Sequence, residues 1–243
     1  MCAGRSNATA CPGAQGKQAM PSYRSVPPQL VGGALCIDFI NTVTWRGDPV
    51  DCGERLTSFD ELLIWAGAAR AVGRDQLPEI AAAAGASRGR AARALAEAVA
   101  LREALARLFA GKSRTSPIDL ATLNGILRET PRRATVKRAS TGFQWDDSGA
   151  SDPLRRIIAS VALSAAGLLT SEELRRVRTC NDARCGWLFL DNSRTARRRW
   201  CDMRTCGNRA KARLHYRRVR TSSGRARSVA RGRNRVRPIS RKR

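Results

Sequence analysis

Four cysteines near the C-terminal end restrict this chain more than any other feature. Cys180 with Cys185, and Cys201 with Cys206, form two C-x4-C pairs separated by fifteen residues. A tight turn across each pair can aim two sulfurs at one centre. The fifteen residues between them allow a short strand, a loop and the start of a helix. Four thiolates at a Zn–S distance of ~2.3 Å close a tetrahedral site. Two disulfides are the competing arrangement, but they need an oxidising compartment, and nothing in the sequence suggests export. A site of three cysteines plus His215, the only histidine, would leave one cysteine idle. The pattern therefore predicts one Zn2+ per chain on Cys180, Cys185, Cys201 and Cys206. A closed four-thiolate shell has no open position for water, so this metal is expected to be structural. It would stand in for the core that so short a module cannot build.

The charge is lopsided. The chain carries +25 overall, and residues 170–243 hold 24 Lys/Arg against 5 Asp/Glu, a net of +19. The remaining 169 residues carry only +6. Such a polycationic third predicts a polyanionic partner. Arginine dominates, which suits bidentate contacts to phosphate and guanine. A helix expected from about Arg199 to Arg220 places Arg209, Arg213, Arg217 and Arg220 at i, i+4, i+8 and i+11, a stripe that fits a major groove. Lys211 and Arg218 add charge, and Arg197, Arg198 and Arg199 could clamp a second phosphate track. Some of these arginines could instead brace the thiolate cluster. Asn208 could read adenine or cap a turn.

Ahead of the cysteines the chain reads as mainly α. Residues 1–29 are expected to be disordered, and Met20 is a candidate true start. The apolar run Val31 to Thr42 contains Asp38 and Asn41 at helical i, i+3 spacing. A buried carboxylate needs partners, so the pair either braces the local backbone or lines a ligand pocket. A helix N-capped by Thr57 or Ser58 is expected to end at Gly73. Others follow over Asp75–Ala84, Ser87–Ala110 and from Ser116 to just before Pro131, with Arg102 at the edge of the third helix's apolar stripe. Thr135–Lys137 and Phe143–Trp145 alternate around a turn and predict a β-hairpin. Leu154–Leu169 is the most apolar helix and suits the centre of a bundle. A strand over Leu174–Cys180 should pair with Trp187–Leu190. The expected layout is a helical domain over 30–170, a short β-hairpin-plus-helix zinc module of treble-clef or ribbon type over 171–220, and a disordered basic tail over 221–243. Cys36 is read as core.

Two stretches point to known families. Cys185-Gly186-Trp187-Leu188-Phe189-Leu190-Asp191, then Arg198-Arg199-Trp200-Cys201, then Cys206-Gly207-Asn208-Arg209-Ala210-Lys211-Ala212-Arg213 resembles the CGNR zinc-finger family, whose tetrapeptide stands intact at Cys206 to Arg209. Val31-Gly32-Gly33-Ala34-Leu35-Cys36-Ile37-Asp38-Phe39-Ile40-Asn41-Thr42, with Glu54-Arg55-Leu56 and Phe59 to Ala66, resembles the ABATE domain that typically precedes that finger. The resemblance implies a DNA-binding finger at the C-terminus of bacterial, stress-responsive transcription regulators, behind a domain that senses or docks a small-molecule or protein signal.

No run is long and apolar enough for a bilayer, the longest being thirteen residues against ~20 needed. No P-loop, GxGxxG or catalytic constellation stands out, so no enzymatic activity is expected. The sequence thus predicts a cytoplasmic, DNA-binding transcription regulator. The alternatives are an RNA-binding protein and a zinc-dependent protein-interaction module.

Overall fold

The computed structural model describes residues 20–48, 50–111, 116–130, 135–138, 143–146, 152–216 and 218–220. The expectations for residues 1–19, for Arg217 and for the tail after 220 lie outside the described residues. Residues through Cys201 cluster as one compact unit and those from Asp202 as a second.

The first unit is mainly helical. The run after Gly33 folds as a short helix, α1 (Leu35–Ile40), which buries Cys36, Ile37, Phe39 and Ile40. Two-residue strands β1 (Val43–Thr44) and β2 (Gly53–Glu54) then pair antiparallel. They are too short to leave an alternating pattern in the sequence. Helix α2 (Phe59–Ala69) starts where expected, with Ser58 Oγ accepting the Glu61 N–H at 3.2 Å. It stops earlier than expected, because Arg70 takes the left-handed C-cap position at φ 55°. Gly73 instead donates its N–H to Gln76 Oε1 at the head of α3 (Leu77–Ala86). Helix α4 (Arg88–Ala110) is capped by Ser87, and α5 (Pro117–Glu129) opens on proline at its first position. The predicted hairpin is present as β3 (Thr135–Arg138) and β4 (Phe143–Asp146), with Val136 opposite Trp145.

Helix α6 (Arg156–Leu169) follows a 3-10 turn at Pro153–Arg155. Its Ile157, Ile158, Val161, Ala162, Ala165 and Leu168 are buried, as a central helix requires. Phe39 and Trp65 meet beside it with ring centroids 5.1 Å apart. A second 3-10 turn, Glu172–Arg176, shortens the next strand to β5 (Val177–Thr179). Its partner is β6 (Leu188–Leu190), antiparallel, with Arg178 opposite Phe189. Val177, Leu188 and Leu190 join the same hydrophobic cluster as α1, α4 and α6. The hairpin that leads to the first cysteine pair therefore has no core of its own.

Arg102 corrects a sequence expectation. Instead of edging the α4 stripe it is 2% exposed, forked onto Glu54 at 2.6 and 2.7 Å, with Glu103 at 2.9 Å and Thr42 Oγ1 at 3.2 Å. Arg46 reaches Glu103 from the other side at 2.6 Å. Burial alone would raise the Glu103 carboxyl, but its bonds to Arg46 and Arg102 outweigh that and hold it low. The network ties α4 to β2 and to the loop after β1.

In the second unit, Met203–Gly207 forms a π-helical turn and residues 208–216 and 218–220 are helical. The helix thus begins after Asp202, not at Arg199. Asp202 caps it, accepting the Arg204 N–H at 3.1 Å and the Thr205 hydroxyl at 3.3 Å. Met203 and Leu214 are 42% and 51% exposed.

Candidate metal centre and basic surface

Each cysteine pair sits on a turn that the local sequence builds. In the first, Cys185 donates its N–H to Asp182 O at 2.9 Å, and the buried Asp182 carboxylate accepts the Arg184 N–H. Gly186 then turns the chain at φ +65°. A Cβ there would stand 2.5 Å from Gly47 N, so glycine is required twice over. Cys180 closes the turn by donating its N–H to Trp187 O at 2.8 Å. In the second pair, Gly207 donates its N–H to Asp202 O five residues back, and a Cβ on it would meet Met203 Sδ at 2.4 Å.

The four sulfurs are buried and lie within 4.8 Å of one another. A tetrahedron with ~2.3 Å Zn–S bonds has S···S edges of about 3.8 Å, and Cys185 Sγ and Cys201 Sγ are 3.7 Å apart. Cys180 accepts from the thiols of Cys185 and Cys201, which drives its own pKa down. The donor set is soft and convergent, which fits zinc. Cys180, Cys185, Cys201 and Cys206 would hold the ion. With all four positions taken by sulfur, it would supply cross-linking and no reactive water.

The tetrapeptide Cys206-Gly207-Asn208-Arg209 divides these tasks. Cys206 offers a ligand and Gly207 carries the backbone bond to Asp202 O. Asn208 Nδ2 donates to Arg204 O at 3.0 Å, so its amide braces the helix start. Arg209 donates to Cys206 Sγ at 3.0 Å, where a guanidinium offsets thiolate charge.

Arg198 is likewise turned into the finger. Its Nε donates to Trp200 O at 2.9 Å, another guanidinium nitrogen donates to Cys201 O, and the group lies 4.6 Å from the Phe189 ring centroid. Phe189 itself is fully buried. Arg197 and Arg199 are exposed on the same loop, and Lys211, Arg213, Arg218 and Arg220 are exposed on the C-terminal helix. The loop is held by Asp191, which accepts from the Ser193 N–H and hydroxyl and from the Arg198 N–H. Burial works to raise that carboxyl, and these bonds with Arg178 overcome it and hold it low.

Asp38 and Asn41 have structural partners. Asp38 Oδ1 accepts the Gly32 N–H at 2.7 Å. Burial pushes its pKa up to about 6, against the lowering effect of the Gly32 and Val31 N–H groups. Asn41 is buried and its amide bonds both backbone groups of Leu188. Three further contacts hold the first cysteine turn to the helical body, none of them legible in the sequence. Trp187 Nε1 donates to Val43 O at 2.7 Å, Gly32 O accepts the Leu190 N–H at 2.7 Å, and Arg184 pairs with Asp48 and Asp51. Gly47, Asp48 and Pro49 mark a turn in the sequence, and a turn does not announce its partner.

Among the described residues no helix is long and apolar enough to cross a membrane. No curated protein matches the chain. Two family models do. The model of the CGNR zinc finger matches residues 176–219. The ABATE model, described as "Putative stress-induced transcription regulator", matches residues 33–172. With more than half its length covered by that model and the cysteine cluster falling inside the other, the chain belongs to the ABATE family and carries a CGNR zinc finger.

Proposed function

We propose that the protein is a DNA-binding transcription regulator of the cytoplasm, in which a structural zinc ion holds an arginine-bearing loop and helix for contact with the duplex. One observation carries the reading. Arg197, Arg199, Lys211, Arg213, Arg218 and Arg220 are exposed in a segment with very few acids. A net of +19 over residues 170–243 repels itself unless a polyanion neutralises it. Arg198 and Arg209 act indirectly, by shaping the finger and offsetting sulfur charge. Arg217, on the same sequence stripe, belongs to the proposed contact set on sequence grounds alone. The helical domain serves as the part that senses or docks a signal.

The test is equilibrium binding of the zinc-loaded chain to a random duplex pool, in a salt series and with chelator. Log K should fall with log salt by about 0.9 for each phosphate neutralised, hence by about 4.5–5.4 for five or six contacts. Chelator should abolish binding. A complex indifferent to salt, or one that survives complete zinc removal, overturns the reading. Preference for structured RNA over duplex would transfer it to RNA.

A further inference from the structure

On the C-terminal helix, residues 211–216 and 218–220 are all exposed. The apolar side chains are no exception: Leu214, Tyr216 and Val219 are 51%, 69% and 46% exposed. A helix this short is marginal in water when no face of it is packed. Like charges four residues apart, as at Arg209 and Arg213, weaken it further. Such a helix gains most from a partner that covers several of its sides and carries negative charge.

Helical spacing sorts the side chains into rows. Ala212 and Tyr216 stand four residues apart and share a row, which Val219 continues. Roughly a quarter of a turn to one side stand Arg213 and Arg220, and roughly a quarter to a third of a turn to the other stand Lys211 and Arg218, all four exposed. A helix lying in the major groove of a duplex, ~12 Å wide, turns one side to the base edges and its two flanks to the phosphate walls. With the Ala212 row on the groove floor, both walls meet cations. With the Arg213 row on the floor, Tyr216 on one flank and Leu214 on the other would face phosphate. The apolar pair on the opposite side, Ala210 and Leu214, also has cations to its left and right. That pair offers no hydrogen-bonding group, and Ala210 is already half-buried. The Tyr216 hydroxyl can donate and accept, and the His215 ring stands beside it with centroids 6.2 Å apart.

We propose that Ala212, Tyr216 and Val219 read base edges in the major groove of duplex DNA. Ala212 and Val219 do so by contact with thymine methyl groups, and Tyr216 by a hydrogen bond to a purine N7. Arg213 and Arg220 hold one phosphate wall, and Lys211 and Arg218 hold the other. The cations then set affinity, and the neutral row sets sequence preference. This base-reading role rests on the DNA-binding reading above.

The experiment selects a preferred duplex from a random pool with the zinc-loaded full chain. Each thymine of that duplex is then replaced singly by deoxyuridine, which removes only the methyl group. Each purine is replaced singly by its 7-deaza form, which removes N7. At least one thymine replacement should weaken binding about fourfold, the worth of one buried methyl, and Val219→Ala should reduce that penalty to less than about twofold. At least one 7-deaza replacement should weaken binding by about fivefold or more, and Tyr216→Phe should erase that penalty. Leu214→Ala should leave both penalties as they are. Lys211→Ala and Arg218→Ala should weaken all duplexes alike, each lowering the salt slope by about 0.9. Circular dichroism and zinc content show that each variant folds, and Tyr216→Phe, the smallest change, decides alone if Val219→Ala does not. Salt-dependent duplex binding indifferent to every methyl and every N7 overturns the base-reading role and leaves the DNA-binding reading standing. Penalties that survive both Val219→Ala and Tyr216→Phe, or that vanish in Leu214→Ala, overturn it as well. Absence of any duplex binding overturns both.

Discussion

The amide of Asn41 makes a two-way hydrogen bond with the backbone of Leu188: Nδ2 donates to the carbonyl at 2.9 Å, and Oδ1 accepts the N–H at 3.0 Å. The residues are 147 apart in sequence, and the bond is buried. It joins the C-cap of α1 to the strand that follows the first cysteine turn. Asn41→Ala would leave both Leu188 groups buried and unpaired. The expected cost is about 2–4 kcal/mol, read by urea unfolding. Asn41→Asp keeps the acceptor, loses the donor and sets a carboxylate against a carbonyl, so it should be no better than alanine. A cost under ~0.5 kcal/mol for Asn41→Ala would mean water replaces the amide without loss.

This bond changes what zinc loss should do. Read from sequence, Cys201→Ser unfolds a separate module and spares the helical domain. In the structure Val177, Leu188 and Leu190 belong to the helical core, so the hairpin and the helices share one apolar cluster. Stripping zinc, or Cys201→Ser, should therefore destabilise the helical unit as well. A loss of several kcal/mol moves the melting temperature of a domain this size by more than about 10 °C. Calorimetry that shows the helical transition unmoved after chelation would separate the two.

How far the sequence could be read follows from the kind of interaction involved. The cysteine spacing, the helix starts at Ser58 and Ser87, the Pro117 entry and the α6 stripe are local patterns, and each was legible. The ends were harder: Arg70 takes a left-handed cap that nothing in its side chain advertises, and the C-terminal helix waits for the Asp202 cap. Arg102 was misplaced because a periodic pattern tells which positions face inward and not which charges wait there. Asn41 stood out as polar within an apolar run, but its partner lies across the chain. The anchoring of the first cysteine turn by Val43, Gly47 and Asp48 is wholly non-local, so no window of sequence contains it.

The Arg102 network should be one of the most sensitive points of the helical unit. Arg102→Ala removes the guanidinium from Glu54 and Glu103 and leaves a partly buried carboxylate pair with one cation, Arg46. Breaking a buried pair from one side costs about 3–5 kcal/mol; Glu54 keeps 30% of its side chain in water, so about 3 kcal/mol is expected. Arg102→Met with Glu54→Gln should recover part of it, because Met fills the buried volume and no unpaired charge remains at position 54. Urea midpoints of the three proteins check the order. A single variant more stable than the double would contradict the assignment.

Asp38 sets a pH dependence opposite to that of the other perturbed carboxylates. Its folded pKa, about 6, lies above the ordinary value of 3.8 because burial disfavours the charge. The folded state therefore binds the proton more tightly than the unfolded chain. The stabilisation from this group is fully present below about pH 4 and is lost as pH rises through about 6. Glu103 and Asp191 are held low, so their contributions are present above the ordinary carboxylate range and are lost only as pH falls through it. Between about pH 4 and 6 the Asp38 effect is thus the distinctive one. Acid also weakens thiolate–zinc binding in that window, so the quantity to measure is a difference. Asp38→Asn keeps an oxygen for the Gly32 N–H and carries no charge. The stability of Asp38→Asn relative to wild type should rise as pH increases from about 4 to 7. A difference flat with pH would show that the carboxyl is solvated and titrates normally.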